Sequence, residues 1–249
     1  MRDSLGSGTN MTLAQALDAI YASCGSHSKP GRLDDSYGLL DPAVSGRIMT
    51  TALRELAPTD AGALFHVLID DREGFAHFYP RLMEIAARPD APFQYPDLPS
   101  ILEQARRLGT LAVPEVATAT KQTLNALWDV VFTRPLDPET LDNILLGSAW
   151  VWESLQSYLD AWAAVENLAA QANLGAYVLG NLDSLRMRRR LRNDREWEDR
   201  PQLEIEVGDW LRSRALAGRI CHLARTTGEP RLVEACAGLQ DLHAAPTFR

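Results

Sequence analysis

The chain has 249 residues, 46% of them hydrophobic and 23% charged, with a formal net charge of −8. That balance supports a buried core and excludes wholesale disorder. Diffuse negative charge repels phosphate backbones, so general nucleic-acid binding is disfavoured. The length admits one large domain or two small ones. Cys24, Cys221 and Cys236 form no C-x-x-C pair. An odd count is a poor disulfide framework, and the reading that follows is free thiols in a reducing cytoplasm. No apolar h-region opens the chain and no apolar run could span a bilayer, so no membrane partner is expected.

Residues 1–10 read as a disordered lead, and residues 11–249 as a single all-helical domain. "MTLAQALDAIYASC" places Leu13, Ala16, Leu17, Ile20 and Tyr21 on one helix face, with Thr12 as a cap. "GSHSKPGRLDDSYGLLDPAVSG" has loop composition. "RIMTTALREL" is helical, and Thr59 or Asp60 is placed to cap "AGALFHVLI". "DLPSILEQARRLG" ends in a glycine suited to the position just past a helix. Pro114 opens a long helix whose Leu124, Leu127, Trp128 and Val131 form a buried stripe. "DPETLDNILLG" starts at Pro138 after Asp137, and "VWESLQSYLDAWAAVENLAAQA" reads as one helix through Trp152, Leu155, Leu159 and Trp162. Three further helical stretches close the chain, and "LEIEVGDW" is the only strand-like exception. The expected fold is all-α: irregular stacked helical hairpins, as an α-solenoid-like arc or an irregular bundle, with no fixed internal repeat.

"LIDDREGFAHFYPRLMEIAARPD" concentrates acids and histidines. Asp70 with Glu73 has the spacing of a capping box, and Phe75, Phe78, Tyr79 and Leu82 supply a buried stripe. Pro80 should kink this helix or start a second one. The chemical alternative is a metal site. His66 with Asp70, and Glu73 with His77, are i, i+4 pairs able to share helix faces, and zinc accepts such ligands. Short spacings of this kind arise often by chance and no H-E-x-x-H is present, so cap and core are preferred and no cofactor is expected.

Phe75, His77, Phe78, Pro80, Arg81 and Leu82 form an aromatic-x-His-Phe-x-Pro-Arg-Leu core that loosely resembles an uncharacterised family of bacterial all-helical proteins. "LNALWDVVFTRP" and "SYLDAWAAVENLAAQANL" are similar in the same way. The resemblance spans the middle of the chain and implies a helical fold but no particular activity. Relatives of that type often carry clustered cysteines upstream, where this chain has Cys24 alone.

Further on, "LRMRRRLRNDR" gathers Arg186, Arg188, Arg189, Arg190, Arg192 and Arg195. Such a run can pair phosphates. Leu182, Leu185 and Leu191 instead suggest an amphipathic helix with a basic wet face, and Asp194, Glu196, Glu198 and Asp199 neutralise the field beyond it. Trp128, Trp152, Trp162 and Trp210 are core candidates by spacing, but Trp150 and Trp152 cannot share one narrow stripe. One of those two is a candidate for a groove or interface. Cys221 and His222 are adjacent on a helical pattern and point apart. No nucleophile elbow or phosphate-binding glycine loop is present.

The leading expectation is a non-enzymatic interaction module of adaptor or immunity type, whose acidic surface binds another protein. Its partner residues would be Trp150, Trp152, Arg186, Arg189 and Arg190. The alternatives are a metal-dependent hydrolase using His66, Asp70, Glu73 and His77, and a nucleic-acid binder using the arginine run of residues 186–195.

Overall fold

Thr12 caps the first helix in the way its spacing to Gln15 allows: its hydroxyl accepts from the Gln15 N–H, and the Gln15 side chain accepts from the Thr12 N–H. The computed structural model in which this is seen describes residues 11–33, 38–89 and 96–244, without the side chains of Asp194 and Arg195. The expected lead at residues 1–10 lies outside the described residues. The protein is all-α, with twelve α-helices and no strand among the described residues. By its contacts the chain divides into two compact units, Met1–Leu127 and Trp128–Arg249.

The first unit holds α1 (Leu13–Ser23), α2 (Pro42–Thr50), α3 (Pro58–Val67), α4 (Arg72–Ala86), α5 (Leu98–Arg107) and most of α6 (Pro114–Thr133). Its centre is α4, against which α1, α3 and α5 pack. Phe75, Phe78, Tyr79 and Leu82 are all buried, as their spacing predicts. Pro80 starts no second helix. It lies inside a continuous α4, where its missing donor and its clash cost about 3 kcal/mol. Burial of each large apolar side chain returns about 1.5–3 kcal/mol, so the buried stripe outweighs the proline.

The cap of α4 differs from expectation by one residue. Asp71, not Asp70, accepts from the Gly74 N–H at 2.9 Å. Glu73 then sits one position too early to close a capping box. Two other boundaries shift for the same local reason, a proline claiming the first helical position. Asp41–Pro42 starts α2 inside what has loop composition, and Pro58 starts α3 ahead of Thr59 and Asp60.

Asp60, released from capping, is buried and takes two hydrogen bonds from Arg47 of α2, at 2.9 and 2.5 Å. These bonds hold the Asp60 carboxyl below its ordinary range. A depressed carboxyl contributes stability that is full above the ordinary aspartate pKa and is lost as pH falls through the lower folded value. Thermal melts should therefore show the wild type ahead of Asp60→Asn at neutral pH and the gap closing below about pH 4. A gap that persists unchanged to strong acid would exclude this ion pair as its source.

Deeper in the same unit, Arg81 is buried and each of its three guanidinium nitrogens donates a hydrogen bond. Nε and Nη2 donate to the Leu56 carbonyl and Nη1 to Glu84, which also accepts from the Tyr21 hydroxyl at 2.6 Å. Cys24 is buried and its thiol is pushed up to about 11 by that burial, which leaves it a poor nucleophile.

The second unit holds the end of α6, then α7 (Pro138–Ala149), α8 (Gln156–Ala164), α9 (Leu168–Arg188), α10 (Pro201–Leu211), α11 (Arg214–Thr227) and α12 (Pro230–Ala244). The single helix expected across residues 151–172 is two. Val165 is extended, and Asn167 caps a new helix by accepting from the Ala169 N–H. The strand-like "LEIEVGDW" lies in α10, because Leu203, Val207, Trp210 and Leu211 bury one helical face. α9 is the spine, and α7, α8 and α12 pack on it. It packs closely on α12 at Gly175, where a Cβ would lie 3.0 Å from the carbonyl carbon of Arg231.

Aromatic rings fill the space beside α9. Trp162 meets Trp128, Tyr177 and Trp210 at centroid distances of 5.7, 5.5 and 6.2 Å. The indole N–H groups of Trp128 and Trp162 find acceptors, Trp128 on the Ser148 hydroxyl and Trp162 on the Ala170 carbonyl, each at 3.0 Å.

The cysteine expectation is overturned here. Cys221 and Cys236 form a disulfide between α11 and α12. The two positions are equidistant from the turn at Gly228 and Glu229, so an antiparallel helical hairpin sets them face to face. Gly228, at φ 67°, makes that turn. Closing a loop of this length removes about 3 kcal/mol of unfolded-chain entropy in the simplest account. The reading of a reducing compartment loses its premise with this bond. No helix among the described residues is long and apolar enough to cross a membrane.

Candidate functional site

The four candidate metal ligands are not gathered. The i, i+4 spacing of His66 and Asp70 assumes one helix, but α3 ends at Val67 and α4 begins at Arg72. Asp70 therefore lies in the intervening turn and pairs with Arg107 of α5 at 3.1 Å. Gln104 and Arg107 also donate to the Ile69 carbonyl and grip that turn from α5. His66 and Glu73 are exposed on α3 and α4. His77 is half-buried, with Nδ1 3.1 Å from the His27 carbonyl oxygen and its ring edge on Phe78. Among the described residues no group of three or more His, Cys, Asp or Glu is placed to hold a metal ion.

The arginine run is not one basic helix face. α9 stops at Arg188, and Arg189 turns into the left-handed region at φ 57°. On both sides of that turn guanidinium groups reach back into the unit. Arg186 donates to the Gly238 carbonyl and pairs with Asp241, and Arg188 reaches the Ser184 hydroxyl. Arg190 forks onto Glu204, whose side chain is 8% exposed. Arg192 forks onto Asp142, which Asn193 also contacts. Carboxylates distant in the sequence pair with Arg186, Arg190 and Arg192.

Trp150 and Trp152 are both half-buried at the end of α7. The Trp152 ring lies against Tyr158 at 4.8 Å and the Trp152 carbonyl accepts from Arg200, whose guanidinium also lies 6.0 Å from the Trp150 ring. Neither tryptophan lines the groove described next.

That groove, about 620 Å³, lies in the second unit between α8, α10 and α11. Residues of α10 at i, i+3, i+4 and i+7, namely Gln202, Ile205, Glu206 and Asp209, form one wall. Asp160 and Ala163 come from α8, and Leu216 and Arg219 from α11. Ile205 is 51% exposed, and the buried Trp210 also lines the groove. Glu206 also builds the groove. Its carboxylate accepts from the Leu155 N–H at 2.5 Å and from the Ser154 hydroxyl, supplying the cap that the start of α8 lacks. Arg219 donates to the Ala163 carbonyl and closes the other end of α8. Sequence reading missed these residues because "LEIEVGDW" alternates. The spacing of Gln202, Ile205, Glu206 and Asp209 was the available signal.

No protein-family model matches the chain, and neither curated proteins nor solved structures yielded a match. The resemblance of the Phe75–Leu82 core has no counterpart among those comparisons.

Proposed function

We propose that the protein is a non-enzymatic interaction module that binds another protein through the groove between α8, α10 and α11. One observation carries this reading: an exposed isoleucine, Ile205, in a carboxylate-lined groove that the buried Trp210 also lines. Pairing an apolar anchor with a polar rim is how protein interfaces combine affinity with specificity. The proposal relocates the binding surface from Trp150, Trp152, Arg186, Arg189 and Arg190. The two tryptophans lie against Arg200 and Tyr158, and Arg186 and Arg190 pair with Asp241 and Glu204. It keeps the acidic character expected of that surface.

The test is to isolate the protein from its native host under gentle conditions and footprint the complex with hydroxyl radicals. Protection is expected at residues 156–163 and 202–219, and Ile205→Asp should release the partner while leaving the helical circular dichroism unchanged. An isolated chain with no partner, or protection confined to other surfaces, would refute the proposal.

A further inference from the structure

We propose that the occupant of this groove is a basic amphipathic helix of the partner, an inference that rests on the interaction-module reading above. The groove lining carries an excess of negative charge, which favours a basic occupant. Asp160, Glu206 and Asp209 face a single lining cation, Arg219. Asp160 accepts from the Gln156 amide, and Glu206 from a hydroxyl and a backbone N–H, neutral donors that leave the negative charge in place. Asp209 pairs with Arg212 one turn along, but its side chain is 67% exposed. An ion pair so open to water is weak and readily exchanged for an incoming cation.

Spacing and shape support the rest. The α10 wall from Gln202 to Asp209 spans two helical turns, about 10 Å at 1.5 Å per residue. Glu206 and Asp209 stand one turn apart on it, so a guest helix with lysine or arginine at i and i+3 or i+4 matches both. A leucine-sized residue on the same guest face would cover the exposed Ile205. Apolar anchors at helical spacing laid into a groove are a recurring recognition mode, and the walls here fit about two guest turns.

Titration calorimetry on the full chain at physiological salt tests this with four probes. The first is a 15-residue peptide of leucine and lysine, its leucines at i, i+3, i+4 and i+7. The others are its glutamate-for-lysine counterpart, a scrambled peptide of the same composition, and spermine. The first peptide alone should bind. Ile205→Ser should weaken it about tenfold, and the double variant Asp160→Asn/Asp209→Asn about fivefold. Equal binding of the scrambled peptide or spermine would show that charge alone is sensed and would overturn the inference. So would binding of the glutamate peptide, no binding at all, or binding that ignores both variants. If the native partner still protects the groove in any of those cases, the interaction module stands and only the chemistry of its occupant falls.

Discussion

Trp162→Ala is expected to destabilise the second unit by about 3–5 kcal/mol, most of the margin of an ordinary domain. The indole is 2% exposed and is in contact with three other aromatic rings, so alanine leaves a void that neighbours on separate helices cannot close together. The substitution also removes the indole N–H that donates to the Ala170 carbonyl, a buried hydrogen bond. Trp162→Phe separates the two effects. It refills much of the volume but omits the N–H, and should cost about 1–3 kcal/mol. Urea unfolding followed by circular dichroism measures both. A loss below about 1 kcal/mol for the alanine variant would show that the aromatic cluster is not the core of this unit. The effect should extend to the proposed binding groove, because Trp210 stacks on Trp162 and lines it.

Arg192→Leu should have a comparable effect, about 3–5 kcal/mol, because it leaves the buried Asp142 carboxylate without its cation. The Asp142 side chain is 9% exposed, and Arg192 binds both it and the Pro138 carbonyl at the start of α7. Burial holds the Asp142 carboxyl above its ordinary value, even against the pull of Arg192. A raised carboxyl means that the folded state holds its proton more tightly than the unfolded chain does. Its contribution therefore falls as pH rises from the ordinary value through the raised one. Removing the cation raises the folded value further, so the deficit of Arg192→Leu should shrink on acidification. Arg192→Leu combined with Asp142→Leu should recover most of the loss at neutral pH, since a well-packed apolar pair replaces a buried ion pair at little net cost. Additive losses in the double variant would contradict the pairing. By contrast, Arg188→Ala, on an exposed side chain, should stay within about 0.5 kcal/mol of wild type.

The contrast between those two arginines shows how far sequence reading reaches. Both belong to one basic run, and composition treats them alike. Their roles differ because Asp142, 50 residues away, meets one of them. The groove has the same origin: Glu206 finds the start of α8 across 51 residues, and that contact gives α8 its first turn. The four metal candidates dispersed for a more local reason, the turn between α3 and α4 that a continuous i, i+4 count overlooks.

What the amino-acid order determined by itself is the set of helices and most of their buried faces. Thr12 with Gln15, Asp137 before Pro138, the glycine after α5, and the stripe through Leu124, Leu127, Trp128 and Val131 are all realised. These signals act through hydrogen bonds and side-chain spacings within about one or two helical turns, which a linear pattern displays directly. Tertiary structure decided the rest: which of two neighbouring aspartates caps α4, that Cys221 meets Cys236, which arginines are consumed, and that Ile205 is left facing solvent. Each of those outcomes depends on which helix packs beside which, and packing free energy is shared among residues far apart in the chain.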